Sequence, residues 1–127
     1  MRVLVIDDNI SISSMITKYL NKKNIDAMYT NNAKNGLELI KKNNFDGIIL
    51  DLSMPEFSGY DFLKKLKSEN GIEKIKIVVL TASMVNEAQE NELKNLGVKS
   101  ILNKPIDPND LIDNLKNIWI DVVWKTI

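Results

Sequence analysis

The stretch that decides the fold reads Val3-Leu4-Val5-Ile6-Asp7-Asp8, and a second stretch of the same kind reads Gly47-Ile48-Ile49-Leu50-Asp51. Apolar runs of about four residues are typical of strands that are buried on both faces of a parallel sheet. Sites in such sheets lie beyond the carboxyl ends of the strands. The two stretches therefore predict three carboxylates at one edge of one sheet.

Strand-like and helix-like patterns alternate along the whole chain. The predicted strands cover residues 3–6, 25–30, 45–50, 75–80 and 98–102. The predicted helices cover residues 11–23, 33–43, 59–68 and 85–96, and a last helix opens at Asp107-Pro108. This alternation predicts an α/β fold, a (βα)5 doubly wound parallel sheet of five strands with the flavodoxin-like order 2-1-3-4-5. The weakly apolar second strand is expected near an edge.

Finer features of these elements are also predicted. In the first helix, the spacing of Ile12, Met15, Ile16 and Leu20 predicts the face that packs on the core. Asn31 or Asn32 is expected to cap the second helix, and Asn70-Gly71 to stop the third. No linker or repeat is present, so residues 1–127 are expected to form a single domain, with a core over 2–118 and a C-terminal helical extension over 119–127.

The composition excludes several classes of protein. The 127 residues include no cysteine, which excludes disulfides and thiolate metal sites, and no histidine, which excludes a Ser-His-Asp triad and histidine-ligated zinc. The 17 basic and 17 acidic residues balance, so no nucleic-acid or anionic-membrane partner is expected. The chain has neither a long apolar run nor a signal-peptide pattern, and a cytoplasmic protein is the expectation.

The predicted strand order brings the three acids together. The first and third strands are neighbours, so Asp7, Asp8 and Asp51 should lie within several ångströms of one another. Two unit charges about 5 Å apart repel by about 3 kcal/mol at an effective dielectric constant near 20. Three such pairs approach the stability of a whole domain, so the cluster should bind a cation or hold a proton. Hard oxygen ligands favour Mg²⁺.

Two more side chains are expected at the same edge. Thr81 and Lys104 follow the fourth and fifth predicted strands. The three carboxylates, Mg²⁺ and Lys104 sum to zero charge, and a phosphoryl group on one carboxylate adds only about −1. Asp51 is the expected acceptor because it stands alone at its strand end, opposite Asp7 and Asp8, and carboxylates can attack phosphorus. Thr81 can donate its hydroxyl to the phosphoryl group, and Lys104 can act on it as a point charge.

The chain resembles the receiver domain of two-component response regulators. The residues that carry the resemblance are Val5-Ile6-Asp7-Asp8-Asn9, Ile49-Leu50-Asp51-Leu52-Ser53-Met54-Pro55 with Gly59, Val79-Leu80-Thr81-Ala82-Ser83, Gly97 and Leu102-Asn103-Lys104-Pro105. Each motif alone is weak, but their shared order and spacing, over about residues 2–118, are very specific.

The resemblance implies a role for each site residue. Asp51 would be phosphorylated and would bind Mg²⁺ directly with Asp8, while Asp7 would act largely through water and Ser53 through its backbone carbonyl. Thr81 would be the switch hydroxyl. Lys104 would be the phosphate-binding amine, and the Lys104-Pro105 peptide would be cis.

The resemblance also implies partners and an activity. The phosphoryl donor would be a sensor histidine kinase, a phosphotransfer protein or a small phosphodonor. A downstream protein would bind the face formed by the fourth helix, the fifth strand and the last helix. The chain would assist its own phosphorylation and dephosphorylation without turning over a separate metabolite, and so would not be an enzyme.

Three positions bear on how the switch would work. Ile101 stands where the family often has Tyr or Phe, so a shift of Thr81 would have to repack an aliphatic side chain. Ile106 stands where Phe commonly follows Lys-Pro. Ser53 and Ser83 occupy positions that influence water access in the family.

The C-terminal segment, residues 117–127, contains more apolar residues than a single buried face of a helix would hold. Leu111, Leu115, Ile118 and Val122 form one seam. Trp119 and Trp124 could belong to an interaction patch that forms a homodimer, and the alternative is a last helix that covers the sheet.

Four alternative interpretations of the chain remain open. It could be a phosphorylation-independent interaction module, or an excised receiver domain of a hybrid histidine kinase, although Met1 just before the first strand favours a complete chain. A Mg²⁺-dependent phosphohydrolase would need a second acid close to the nucleophile, and Ser53 offers none. A nucleotide-binding domain would need a Gly-rich loop after the first strand, and none follows it.

Overall fold

The computed structural model describes the backbone of residues 1–69 and 74–126, and the side chains of those residues up to Ile118. The strands are β1 (Arg2–Ile6), β2 (Asp26–Thr30), β3 (Gly47–Leu50), β4 (Lys76–Thr81) and β5 (Val98–Asn103). The helices are α1 (Ile10–Lys22), α2 (Ala33–Lys42), α3 (Gly59–Ser68), α4 (Glu87–Asn95) and α5 (Pro108–Thr126). The predicted elements are therefore confirmed, with small shifts at their ends.

The five strands form one parallel sheet in the order β2-β1-β3-β4-β5, as predicted. Strand β2 lies at an edge, which explains its weakly apolar sequence. Ile6 pairs with Leu50, and the backbone N–H of Asp51 donates to the Ile6 carbonyl at 2.9 Å. The register therefore places the residues that follow β1 and β3 side by side.

Helices cover both faces of the sheet because the central strands are apolar on both sides. Leu4 and Ile6 of β1 pack into the core layer that contains Phe62 of α3. Val3 and Val5 of the same strand point to the opposite layer, under α1 and α5. Phe62, Leu63 and Leu66 of α3 are buried, as the sequence predicts.

The predicted inner face of α1 is wrong at one position. Met15 is 53% exposed, and the buried positions are Ser13, Ile16, Thr17 and Leu20. Ser13 and Thr17 are tolerated in the core because their hydroxyls donate to carbonyls of the preceding turn. Polar side chains that hydrogen-bond to the backbone of the preceding turn thus shift the buried face of α1 by about one residue.

Side-chain caps fix where the helices begin. Asn9, Asn32, Ser58 and Asn86 cap α1 to α4, each accepting a hydrogen bond from the backbone N–H three residues on. Asn32 rather than Asn31 therefore caps α2, which leaves the Asn31 side chain for another role. At α5 the Asp107 carboxylate accepts from the Asn109 N–H at 2.7 Å, as expected of the predicted cap.

Part of the C-terminal prediction falls on residues with no described side chains. Leu111 and Leu115 are buried, as expected of the seam. The side chains of Val122, Trp119 and Trp124 lie outside the described part, so the homodimer patch stays a prediction; the predicted stop at residues 70–71 also lies outside it. Within the described ranges, no helix has both the length and the apolar character that a membrane crossing requires.

Gly59 is required where α3 begins, because a β-carbon there would lie 2.6 Å from the Asp51 carbonyl oxygen and 2.8 Å from Leu52 Cα. We expect Gly59→Ala to lower the free energy of unfolding by about 1–3 kcal/mol, since backbone must move. The control is Gly36→Ala, whose β-carbon meets the tip of the Ile6 side chain at 2.8 Å. That tip can rotate, so the loss should stay below about 1 kcal/mol. Equal losses in urea titrations would contradict this account.

Candidate functional site

The three predicted acids meet at the carboxyl edge of the sheet. Asp7, Asp8 and Asp51, here called the acidic cluster, each offer a carboxylate oxygen, and these oxygens all lie within 4.8 Å of one another. Asp7 is 3% exposed and Asp51 is 5% exposed, while Asp8 lies at the surface. The cluster therefore has two buried carboxylates and one at its mouth.

Backbone N–H groups orient the two buried carboxylates. Asp7 Oδ1 accepts from the N–H of Asn9 at 2.9 Å, and Asp51 Oδ1 accepts from the N–H of Ser53 at 3.2 Å. The cap of α1 is Asn9, so neither Asp7 nor Asp8 serves as that helix cap. The acids are therefore free to face one another rather than the helix.

Lys104 supplies the positive charge next to the acidic cluster. Its Nζ lies 2.6 Å from Asp7 Oδ2 and 3.7 Å from Asp51 Oδ2, and its side chain is 15% exposed. The backbone N–H of Lys104 donates to the Thr81 carbonyl at 2.9 Å, and the Lys104-Pro105 peptide is cis, as predicted. The hydrogen bond from Lys104 Nζ to Asp7 Oδ2 joins two charged groups, and it is strong because little water competes for either group.

Thr81 ends β4, and the two predicted serines lie in the loops that follow β3 and β4. The Thr81 hydroxyl is fully buried and accepts from the N–H of Ser83 at 3.2 Å. It does not cap α4, because Asn86 does. The hydroxyls of Ser53 and Ser83 form a hydrogen bond with each other. The loop after Asp51 is thereby joined to the loop after Thr81.

The charges in the cluster are not balanced. Burial raises the pKa of the Asp51 carboxyl above its ordinary value of 3.8, against the lowering effect of the Ser53 N–H. The charge of Asp7 also raises this pKa, Lys104 lowers it, and Asp8 raises it. Three carboxylates against one ammonium leave the site short of positive charge.

A hard divalent cation fits this donor set. The convergent groups are carboxylate oxygens without nitrogen or sulfur ligands, a set that suits Mg²⁺ rather than zinc or copper. Asp7, Asp8 and Asp51 are the residues that could hold the ion. The predicted contribution of the Ser53 carbonyl stays a prediction, as do the individual ligand roles.

Sequence reasoning missed one residue that contacts the cluster. The Asn31 side-chain amide donates to the Asp7 carbonyl at 2.6 Å and to Ser13 Oγ at 2.9 Å. Asn31 directly follows β2, so the rule that singled out the acids, a polar residue just past a strand, also applies to it. As a single residue, it is predicted from the sequence only as a possible cap of the second helix.

Removing the Asp51 charge should stabilise the metal-free chain. Because its pKa is raised in the folded state, the unfolded chain loses this proton first as pH rises, so ionisation destabilises the fold above about pH 3.8. In buffer without divalent cations, we expect Asp51→Asn to raise the free energy of unfolding at pH 7. The gain should shrink as pH falls toward 3.8. Denaturant titrations at several pH values test this expectation, and Asp113→Asn, which removes the charge of an exposed acid, is the control. A lower free energy of unfolding for Asp51→Asn at neutral pH would contradict it.

Comparisons with known proteins agree with this geometry. The family described as the response regulator receiver domain matches residues 3–116. The probable transcriptional regulator ycf29 of Pyropia yezoensis is 32% identical over 92% of this chain and 52% of its own length. The two-component response regulator ORR5 of Oryza sativa subsp. japonica is 30% identical over 86% of this chain and 81% of its own.

A solved structure gives the same result. The chemotaxis protein CheY4 of Vibrio cholerae superposes with a TM-score of 0.84 at 28% identity, covering 91% of this chain and 96% of that one. The chain spans only about half the length of the Pyropia protein, so the match there concerns one part of that protein.

Receiver domains in general bind Mg²⁺ at an acidic cluster and receive phosphoryl groups from histidine kinases or phosphotransfer proteins. The match covers most of this chain and includes the residues that form the acidic cluster. The chain therefore belongs to the response regulator receiver domain family of two-component signal transduction.

Proposed function

We propose that this chain is a phosphoacceptor switch in which Asp51 takes a phosphoryl group and the modified protein binds its partners differently. The observation that carries the proposal is the meeting of the acidic cluster with Lys104 at one sheet edge. These four side chains follow three different strands. A solvated surface of unrelated charges would not bury two carboxylates against one ammonium.

Asp51 is better suited than its neighbours to be the acceptor. Both oxygens of Asp7 are engaged, one by the Asn9 N–H at 2.9 Å and one by Lys104 at 2.6 Å. The Oδ2 of Asp51 lies 3.7 Å from Lys104 and is the least restrained oxygen of the two buried carboxylates. Asp8 is exposed, so a phosphoryl group there would be open to water. Asp51 thus combines burial, a nearby cation and a free oxygen.

The transfer itself needs little covalent help from the protein. An Asp51 oxygen forms a bond to phosphorus as the bond from phosphorus to the donor breaks, and the electron pair leaves with the donor atom. When bound, Mg²⁺ would supply charge neutralisation for the phosphoryl oxygens, held by Asp8, Asp51, the Ser53 carbonyl and, through water, Asp7. The donor would be a histidine kinase, a phosphotransfer protein or a small phosphodonor.

Lys104 and Thr81 would then respond to the new group. Lys104 can turn from Asp7 toward the phosphoryl oxygens as a point charge on a flexible stem. The Thr81 hydroxyl now accepts from Ser83, so its own proton is available to donate to a phosphoryl oxygen. Moving toward that oxygen would break the Ser83 bond and shift the loop that follows β4.

The surface formed by α4, β5 and α5, here called the output face, would carry the signal. A cleft of about 420 Å³ lies between the loop after β4 and β5, lined by Ala82, Ser83, Met84, Val85, Glu90, Ile101, Asn103 and Lys104. Met84 is 95% exposed, and Leu93 is the only buried residue of α4. A shift of the loop would repack Ile101 and change the shape of the output face to which a downstream protein would bind.

Two rival functions have less support. A phosphorylation-independent module would not need the buried acids and Lys104 that this chain retains. A phosphohydrolase would need a second acid that serves as the general acid beside the Asp51 nucleophile. Asp7 and Asp8 belong to the proposed metal site, and Ser53, two residues past Asp51, bonds instead to Ser83. We therefore regard the chain as a self-assisting phosphoacceptor rather than an enzyme that turns over a separate substrate.

Phosphorylation can be tested by intact mass. With a small acyl phosphate and Mg²⁺, we expect the chain to gain one phosphoryl group, and Asp51→Asn to gain none. Lys104→Ala should react about 100-fold or more slowly, because a charged donor at the reacting group is lost. Lys99→Ala, which removes an exposed lysine of β5, the strand that Lys104 follows, is the matched control. A gain that persists in Asp51→Asn would refute the acceptor assignment.

The switch can be tested by hydrogen exchange. Phosphorylation should change amide protection at residues 82–86 and in β5, because the Thr81 shift moves that loop. Thr81→Ala should still gain the phosphoryl group but show a much smaller change in protection. Identical protection in phosphorylated and unphosphorylated protein would favour the phosphorylation-independent module.

A further inference from the structure

We propose that Asn31 is a positioning residue for the acidic cluster: its side-chain amide fixes the Asp7–Asp8 peptide so that both carboxylates stay turned toward Asp51. This inference rests on the proposed function, since its consequence is tighter binding of Mg²⁺. Asn31 contacts none of the reacting groups and acts only through the backbone of the two acids.

The contacts of Asn31 support this role. Its Nδ2 donates to the Asp7 carbonyl oxygen at 2.6 Å, and that oxygen belongs to the peptide that joins Asp7 to Asp8. On the other side of the same residue, the Asp7 N–H donates to the Thr30 carbonyl at 3.2 Å. Both peptides that flank Asp7 are thus tied to the end of β2.

The second hydrogen of the amide reaches α1. Asn31 Nδ2 also donates to Ser13 Oγ at 2.9 Å, and Ser13 is fully buried. Ser13 in turn donates to the Asn9 carbonyl at 2.9 Å. A carbonyl oxygen can only accept, so the two contacts fix which end of the Asn31 amide faces the loop. The Asn31 amide therefore connects the two ends of the acid-bearing loop: it binds the Asp7 carbonyl directly and the Asn9 carbonyl through Ser13.

The loop needs this restraint because the acids repel one another. The described residues offer no hydrogen bond or ion pair to the Asp8 carboxylate, so its position depends on its own backbone. A rotation of the Asp7–Asp8 peptide would let Asp8 swing away and relieve the repulsion. The hydrogen bond from Asn31 opposes that rotation, which keeps the carboxylates converged in the absence of a cation.

Nearby asparagines provide a matched comparison. Asn32 caps α2, and Asn35 Nδ2 donates to Thr30 Oγ1 at 2.9 Å. Asn35 thus makes a hydrogen bond of similar length, to the last residue of β2, but its side chain makes no hydrogen bond to the acids. Its loss should affect stability without affecting the metal site.

Calorimetric titration with MgCl₂ tests the inference. We expect Asn31→Ala to weaken Mg²⁺ affinity by about 10- to 100-fold, the usual range for residues that orient metal ligands. Asn35→Ala should change the affinity by less than about threefold. Both variants should lose stability in urea titrations, and Asn31→Ala should lose more because it gives up two partly buried hydrogen bonds where Asn35→Ala gives up one. Asp8→Asn should abolish most of the binding.

The outcomes separate the inference from the proposed function. If the unsubstituted chain binds Mg²⁺, Asp8→Asn does not, and Asn31→Ala binds as tightly as the unsubstituted chain, the positioning role is refuted and the proposed function stands. If the unsubstituted chain does not bind Mg²⁺, both are refuted. Should Asn31→Ala fail to fold, Asn31→Leu and Asn35→Leu keep the side-chain volume without donors and give the same comparison.

Discussion

Repulsion among three aspartates at one sheet edge is the constraint on which the rest of this structure depends. The pairing of Ile6 with Leu50 makes the convergence of the acids a consequence of the strand register. Buried carboxylates repel more strongly than exposed ones because less water screens them. The raised pKa of Asp51 is one result of that burial, and the demand for a cation is the other.

The fold resists this repulsion with apolar strands and with hydrogen bonds around the acids. Strands β1 and β3 are buried on both faces, so their ends cannot move apart without opening the core. Backbone N–H groups hold Asp7 and Asp51, and the Asn31 amide holds the peptide between Asp7 and Asp8. Lys104, which follows β5, brings the one ammonium group that contacts the cluster among the described residues. Stability from hydrophobic packing thus maintains an electrostatically unfavourable site.

Contacts between neighbouring loops connect the site to the output face. The Ser53–Ser83 hydrogen bond joins the loop after Asp51 to the loop after Thr81, and the latter borders the output face. A change of charge at Asp51 would alter the balance among Lys104, Thr81 and these two loops. Few of the groups involved belong to the apolar core, so a rearrangement there need not unfold the domain.

Much of this could be predicted from the sequence, because the signals are local. Four-residue apolar runs identify the buried strands, and an acid after each run marks the carboxyl edge. The caps of α2 and α5 also follow from local sequence, which predicts Asn31 or Asn32 for the first and Asp107 for the second. The buried face of α1 did not, because Met15 and Ser13 both fit a helical pattern, and only packing decides that serine is buried and methionine exposed.

The arrangement of polar side chains within the site was decided by the tertiary structure. The sequence by itself determined that three acids, a threonine and a lysine lie at one edge of a parallel sheet. Only the tertiary structure decided that Lys104 binds Asp7 more closely than Asp51, that Ser53 meets Ser83, and that Asn31 holds the Asp7–Asp8 peptide. The physical reason is range: hydrophobic periodicity is encoded between neighbours along the chain, whereas these bonds join groups 24 to 97 residues apart.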